Sequence, residues 1–447
     1  MAKVSKTRDM TTGPIAKNLL LFMLPIAGSS IFQQLYNTAD FMFVGNFLTM
    51  TAAAAVGASS SIVNLLIGLF SGISVGTNVQ AAMAFGNKDE KKNSAILHTS
   101  ITFALAAGCA LMLLGILLAP GILHTLNTPA EAMEEAVVYL RIYLLSLPFM
   151  VLYNMGSAYT RGTGDSSSPF RILVICGFVN VIMDWLLIVV IPLGVSGVAL
   201  ATAVSQGLSA VLILKNLSTG SEETRFRVKK LGIDRKILGQ ILRVGLPAGV
   251  QSVVITFSNI IVQYYINGLG AVSVAAFAVY YKLENFIYLP IVSFGQAATT
   301  FAAQNLGAGK KERISKGAWL NLVMGVVITV IIAGIILMFP YPIFRLFMKD
   351  PDVVEHAIII GKVSFGFYWI YVFIEVFGGS IRGMGRSVTS MVTILSTLCG
   401  ARILLLVLFA HTDYTLKRIA TVYPITWALA GAGFLGIFLV LMRKPED

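Results

Sequence analysis

Residues 18–45 read NLLLFMLPIAGSSIFQQLYNTADFMFVG, and their only charged side chain is Asp40. The stretch exceeds the roughly 20 apolar residues that carry an α-helix across a bilayer. Lys3, Lys6, Arg8 and Lys17 precede it. A basic start followed by an apolar run imitates a secretion signal, but this run is too long for a cleaved one. It reads as a first membrane helix, and similar runs recur to the end of the chain.

Composition agrees. Of 447 residues, 56% are hydrophobic and 12% charged, where soluble domains carry about a quarter charged. A chain this long would form two or three soluble domains, which so little charge could not clothe. The mean hydropathy of +0.81 excludes most soluble enzymes and any disordered scaffold. The net charge of +12 would suggest nucleic acid in a soluble protein. In a membrane protein it marks loops held on the cytoplasmic side, so no nucleic-acid partner is expected. Cys109, Cys176 and Cys399 lie in separate apolar runs and offer neither a disulfide framework nor zinc spacing.

A membrane ruler laid along the chain gives twelve spans, near 18–45, 52–85, 95–118, 134–159, 168–191, 196–215, 238–266, 271–303, 316–340, 353–379, 387–410 and 419–442. The runs are too long, and too little alternating, for barrel strands. With the N-terminus inside, most of the 33 Lys and Arg fall on one face: the N-terminus, 88–92, Arg161, Arg171, 215–243, 310–316, Arg382, Arg386, Arg443 and Lys444. The opposite loop 126–135 has three acids and no base. Both termini are therefore expected in the cytoplasm. The fold class is an all-α polytopic membrane protein with twelve transmembrane helices in two pseudo-symmetric six-helix bundles. The lobes are expected at 1–215 and 238–447, joined by a cytoplasmic linker, 216–237. This linker carries Arg225, Arg227, Lys229 and Lys230. A plain connection is the first reading, and contact with anionic lipid headgroups the second.

The halves repeat. Leu24-Pro25 returns as Leu246-Pro247, Gly86 as Gly307, and Arg161-Gly162-Thr163-Gly164 as Arg382-Gly383-Met384-Gly385, each some 221 residues later. Duplication explains a shared offset better than chance dipeptides do. Six spans per half insert both copies in the same sense, the parallel-repeat plan of secondary transporters that alternate access to a substrate between lobes. Pro25 and Pro247 each remove a helix hydrogen bond at matched places and are candidate bends.

Acids inside spans are costly and face a partner or cavity. There are four: Asp40, Asp184, Glu284 and Glu375. Counting from span ends at about 1.5 Å per residue places Asp40, Tyr139, Asp184 and Thr202 at similar depth. Asn180 shares a helix face with Asp184, as Asn37 does with Asp40, and Tyr36 is adjacent. Two acids in one partly dry pocket favour uptake of a proton or small cation; a neutral acid that merely bridges helices is the plainer alternative. The positions matching Asp40 and Asp184 in the second half are Ile261 and Leu405, so the duplication is broken there. Glu284 is expected to pair with Lys282, Lys362 or Arg402, and direct contact with a cationic substrate is its other reading. Glu375 is expected to pair with Arg382. Gln34, Tyr36, Asn37 and Glu284 are candidates for a substrate cavity. His98, His124, His356 and His411 are scattered without metal spacing, no nucleophile–base pair is visible, and no enzyme activity is expected.

Tyr36-Asn37-Thr38-Ala39-Asp40 continuing to Phe43-Val44-Gly45, the duplicated Arg-Gly-x-Gly and the two six-span halves resemble the multidrug and toxic compound extrusion (MATE) family over nearly the whole chain. Asn180 and Asp184 with Asp40 are similar to its DinF-type branch. The resemblance implies a buried network of Tyr139, Asn180, Asp184 and Thr202 around Asp40, and a bend of the first helix at Pro25 linked to protonation and drug release. Other branches use an acid in the seventh span, where Gly249-Val250-Gln251-Ser252 has none, which places coupling in the first lobe. The function so implied is secondary active export of organic cations and other drugs across the plasma (inner) membrane, by a monomer, in exchange for external protons or Na⁺. No cofactor is expected, and no metal beyond Na⁺ at Asp40 and Asp184. A lipid-linked precursor flippase of the same superfamily is the alternative, since the second lobe is the more basic inside its spans.

Overall fold

The computed structural model describes residues 7–220, 224–412 and 414–443. Lys3, Lys6 and Lys444, and residues 221–223 of the expected linker, lie outside them. The described residues form helices and no strands. Hydrocarbon offers backbone groups no partner, so each span must satisfy its own hydrogen bonds.

In the first half α1 (Ile15–Phe47), α2 (Met50–Gly86) and α3 (Glu90–Thr125) are single spans. The fourth expected span is two helices, α4 (Ala130–Leu145) and α5 (Leu147–Gly162), bent by 42°. Pro148 stands in the first turn of α5 and cannot donate backward, while Ser146 Oγ donates to Tyr143 O at 2.6 Å and closes α4. α6 (Ser167–Asp184) runs into a π-helical segment, Trp185–Val190, before α7 (Val195–Leu217).

The second half repeats the plan with α8 (Arg235–Asn267), α9 (Ala271–Gly307) and α10 (Lys311–Met338), then a short α11 (Pro340–Arg345). The tenth expected span is again bent, by 50°, between α12 (Pro351–Ser364) with its 3₁₀ turn Phe365–Phe367 and α13 (Trp369–Gly383). The eleventh is α14 (Ser387–Ile394), a π segment Leu395–Ala401 and α15 (Arg402–Thr412), and α16 (Leu416–Arg443) is last. Among the described residues, ten helices are long and apolar enough to cross a membrane, or up to twelve with each bent pair as one span.

Packing divides the chain into two compact units at places the span pattern does not mark. One holds residues 1–9 and 28–245, the other residues 10–27 and 246–447. Backbone amides draw the boundaries. Met10 N donates to Gln304 Oε1 at 3.0 Å, and Arg313 donates to the carbonyls of Met10, Thr12 and Gly13, tying the start of α1 to α9 and α10. Within the expected linker, residues 224–236 lie on the first unit. Arg227 N donates to His98 Nε2 (3.1 Å), Gly232 N to Thr102 Oγ1 (3.0 Å) and Asp234 N to Thr99 Oγ1 (3.2 Å), all on α3. The units therefore change inside α1 and α8, within three residues of Pro25 and Pro247.

The duplicated Arg-Gly-x-Gly has two separate uses. Its first glycine brings two helices together: a Cβ on Gly162 would lie 2.6 Å from Asn78 O of α2, and one on Gly383 would collide with Thr299 O of α9. Its second glycine turns the chain with positive φ, 94° at Gly164 and 78° at Gly385, where other residues are strained. Lipid tails do not drive helices together, so close backbone approach through small residues is what holds such bundles. Gly383→Leu should therefore overpack the α9–α13 contact at a cost of at least about 1–3 kcal/mol and lower the Tm in detergent. Gly436→Ala, which meets nothing within 4 Å, should leave Tm unchanged in the same melt.

Candidate functional site

The carboxyl-terminal half of α1 turns Gln33, Tyr36, Asn37, Asp40 and Val44 to one side, the i, i+3/i+4, i+7 face of a helix. With α2, α4, α5, α6 and α7 this face encloses a cavity of about 360 Å³ within the first unit. Gly177 on α6 admits α1, since a Cβ there would lie 2.5 Å from Phe32 and 3.2 Å from Tyr36. Tyr139, Asn180 and Thr202 line the cavity with Asp40. Asp184 is fully buried beside it.

The polar groups mesh around the two acids. With its amide nitrogen turned toward α1, Asn180 donates to both carboxyl oxygens of Asp40, at 3.1 and 3.3 Å. The carboxyls of Asp40 and Asp184 lie within electrostatic reach of each other, and neither oxygen of Asp184 meets a hydrogen-bond donor. Two ionised carboxylates have no proton to donate, so only a protonated member of the pair could hydrogen-bond to the other. Tyr139 is buried within electrostatic reach of both acids and stacks on Tyr143, ring centroids 6.1 Å apart. Thr202 Oγ1 donates to Val198 O at 3.1 Å, leaving its lone pairs for the cavity. Asp184 is the last α-helical residue before the π segment Trp185–Val190. Such bulges re-aim side chains and gather at functional sites.

Other expected positions fall elsewhere. Gln34 is not in the cavity lining, and its backbone carbonyl accepts from Thr38 Oγ1 at 2.8 Å; its neighbour Gln33, about 100° round the helix, lines the cavity instead. Tyr36 and Asn37 are in the lining. Glu284 belongs to the second unit and has no ion pair with Lys282, Lys362 or Arg402. Its Oε1 accepts from Tyr368 (2.9 Å) and Tyr280 (3.3 Å). Arg402 lies 5.0 Å above the Tyr423 ring, so aromatic groups take up both charges. Glu375 does meet Arg382, at 3.5 Å. The lining also contains Tyr143, Tyr153, Asn154, Ser205, Gln206 and Ser209, which the sequence reading passed over. Their signal was the helical spacing of Thr202, Ser205 and Ser209 and of Tyr139 and Tyr143.

Comparison with known proteins agrees with this architecture. The MatE family model matches residues 25–186 and 247–408, one copy per half. The chain is 26% identical to the probable multidrug resistance protein YoeA of Bacillus subtilis (strain 168), covering 98% of this chain and 97% of that one. It is 24% identical to the multidrug export protein MepA of Staphylococcus aureus (strain MSSA476), covering 97% and 96%. A solved outward-facing conformation of a multidrug resistance MATE family transporter of the MOP superfamily superposes with a TM-score of 0.92 at 21% identity, covering 99% and 100%. With both repeats matched over more than half its length, the chain belongs to the MatE family of multi-pass membrane transporters and is not an enzyme.

Proposed function

We propose that the protein exports organic cations and other drugs across the plasma membrane, from a cytoplasm that holds both termini, in exchange for external protons. The observation that carries this reading is that Asp184, buried without a donor, lies within electrostatic reach of Asp40 at the wall of a polar cavity. A pair that holds one proton carries one negative charge, and loss of that proton doubles it, so that the pair can then attract a cation in the same space. Proton and drug favour different states of the carrier, which is all that coupling requires. The proton is preferred to Na⁺ because a buried acid without a donor can hold a proton by itself, whereas Na⁺ would need several oxygens spread around it.

Pro25 is the proposed bend. It leaves a backbone carbonyl without its helical partner just where α1 passes from one unit to the other. Asp40 lies on the same helix, so a change in its charge acts on the segment beyond the bend. Pro247 holds the matching place in α8, and alternating access would use both. Glu284, ringed by tyrosine hydroxyls, is the proposed cation contact of the second unit.

Uptake of a dye-like cation into inverted vesicles, whose outer face is the cytoplasmic one, tests the coupling. Asp40→Asn and Asp184→Asn should each reduce gradient-driven uptake to that of vesicles without the protein, and undiminished uptake in both variants would sink the assignment. A pH gradient at equal Na⁺ should drive transport where a Na⁺ gradient at equal pH does not; the reverse result would make Na⁺ the coupling ion. Pro25→Ala should slow transport while leaving drug affinity in detergent nearly unchanged.

A further inference from the structure

The segment 224–236 is held on the first unit from one side only. Besides its backbone bonds to His98, Thr99 and Thr102, Phe226 stacks on the His98 imidazole with ring centroids 5.8 Å apart. Phe226 and Leu231 pack against the core of the first unit. The other side is bare. Val228 is 70% and Ile233 44% exposed, and Lys229, Lys230, Arg235 and Lys236 are exposed around them. The one acid of this stretch, Asp234, is spent on capping α8 through Lys236 N (2.8 Å) and Ile237 N (3.1 Å).

Height along α3 says what that bare side meets. A helix of 36 residues is about 54 Å long, roughly 24 Å more than the hydrocarbon core. Shared between its two ends, this puts the boundary of the hydrocarbon about 12 Å from each. The pinning residues His98 to Thr102 stand eight to twelve residues into α3, about 12–18 Å from its start, at that boundary. Apolar tips flanked by lysines at this level match an anionic lipid surface, with the apolar groups in the acyl boundary and the ammonium groups among the phosphates.

We infer that residues 225–236 form an interfacial anchor, in which Val228 and Ile233 enter the bilayer surface and Lys229, Lys230, Arg235 and Lys236 bind anionic phospholipid headgroups. The anchor fixes the height of the first unit in the membrane and is independent of which drug or ion is carried.

A spin label tests it in the full-length protein. Cys109→Ser removes the exposed native thiol, Cys176 and Cys399 being buried, and Val228→Cys takes the label. Nanodiscs of phosphatidylcholine alone are compared with nanodiscs also containing phosphatidylglycerol. Expected is greater collision with oxygen than with a water-soluble nickel chelate, increased by phosphatidylglycerol, with the increase lost on combining Lys229→Gln, Lys230→Gln and Lys236→Gln. A control label at Ser218→Cys should stay in water throughout. A label at 228 that remains as accessible to nickel in both lipids overturns the anchor. One that is lipid-immersed to the same extent in both overturns its anionic preference. If the Ser218 label shifts with phosphatidylglycerol as well, a general change of tilt explains the result and the anchor again fails.

Discussion

Everything in this molecule depends on backbone groups having no solvent partner inside a bilayer. That constraint makes each span a helix, and it makes every departure from helix informative, because a freed carbonyl or amide must be compensated nearby. Several of the departures are duplicated. The fourth and tenth spans are bent, the fifth and eleventh carry π segments, and α1 and α8 contain a proline where the packing units change. Helices held by contact rather than by solvent exclusion must also meet closely. The first glycine of each Arg-Gly-x-Gly copy is placed where a side chain would hold α2 from α5 or α9 from α13.

Within that frame the two units use their buried charge differently. In the first, two acids face each other with an asparagine as the one neutral donor on Asp40, an arrangement that changes its charge when a proton comes or goes. In the second, Glu284 is held by two phenols, Arg402 lies against a ring, and Glu375 is paired with Arg382. Those charges have partners already. A duplicated scaffold thus carries one responsive site and one largely fixed network.

The helical character, the number of spans and the internal repeat were legible in the sequence because they rest on local properties, namely run length, charge spacing and offset. Depth counting also grouped Asp40, Tyr139, Asp184 and Thr202, since residues at equal depth on neighbouring helices have few places to go. Rotation was harder to read. Gln34 and Gln33 differ by one position but by about 100° around the helix, and only packing decides which faces inward. The partner of Glu284 was missed for a related reason: formal charge pointed to Lys282, Lys362 or Arg402, whereas burial among tyrosines offered hydroxyl donors. The packing units were hidden altogether, because hydropathy follows the membrane while hydrogen bonds such as Met10 to Gln304 join residues 294 apart.

That last contact bears on how the protein is made. The first unit is complete once residue 245 has been synthesised, but the second needs residues 10–27 from the very beginning of the chain. At about 5–20 residues per second, Met10 waits some 15–60 s for Gln304. Throughout that interval the start of α1, with Leu19, Phe22 and Met23 destined for the second unit's core, has no native partner. The nascent chain must hold its first helix half-assembled until almost a third of the second half has been translated.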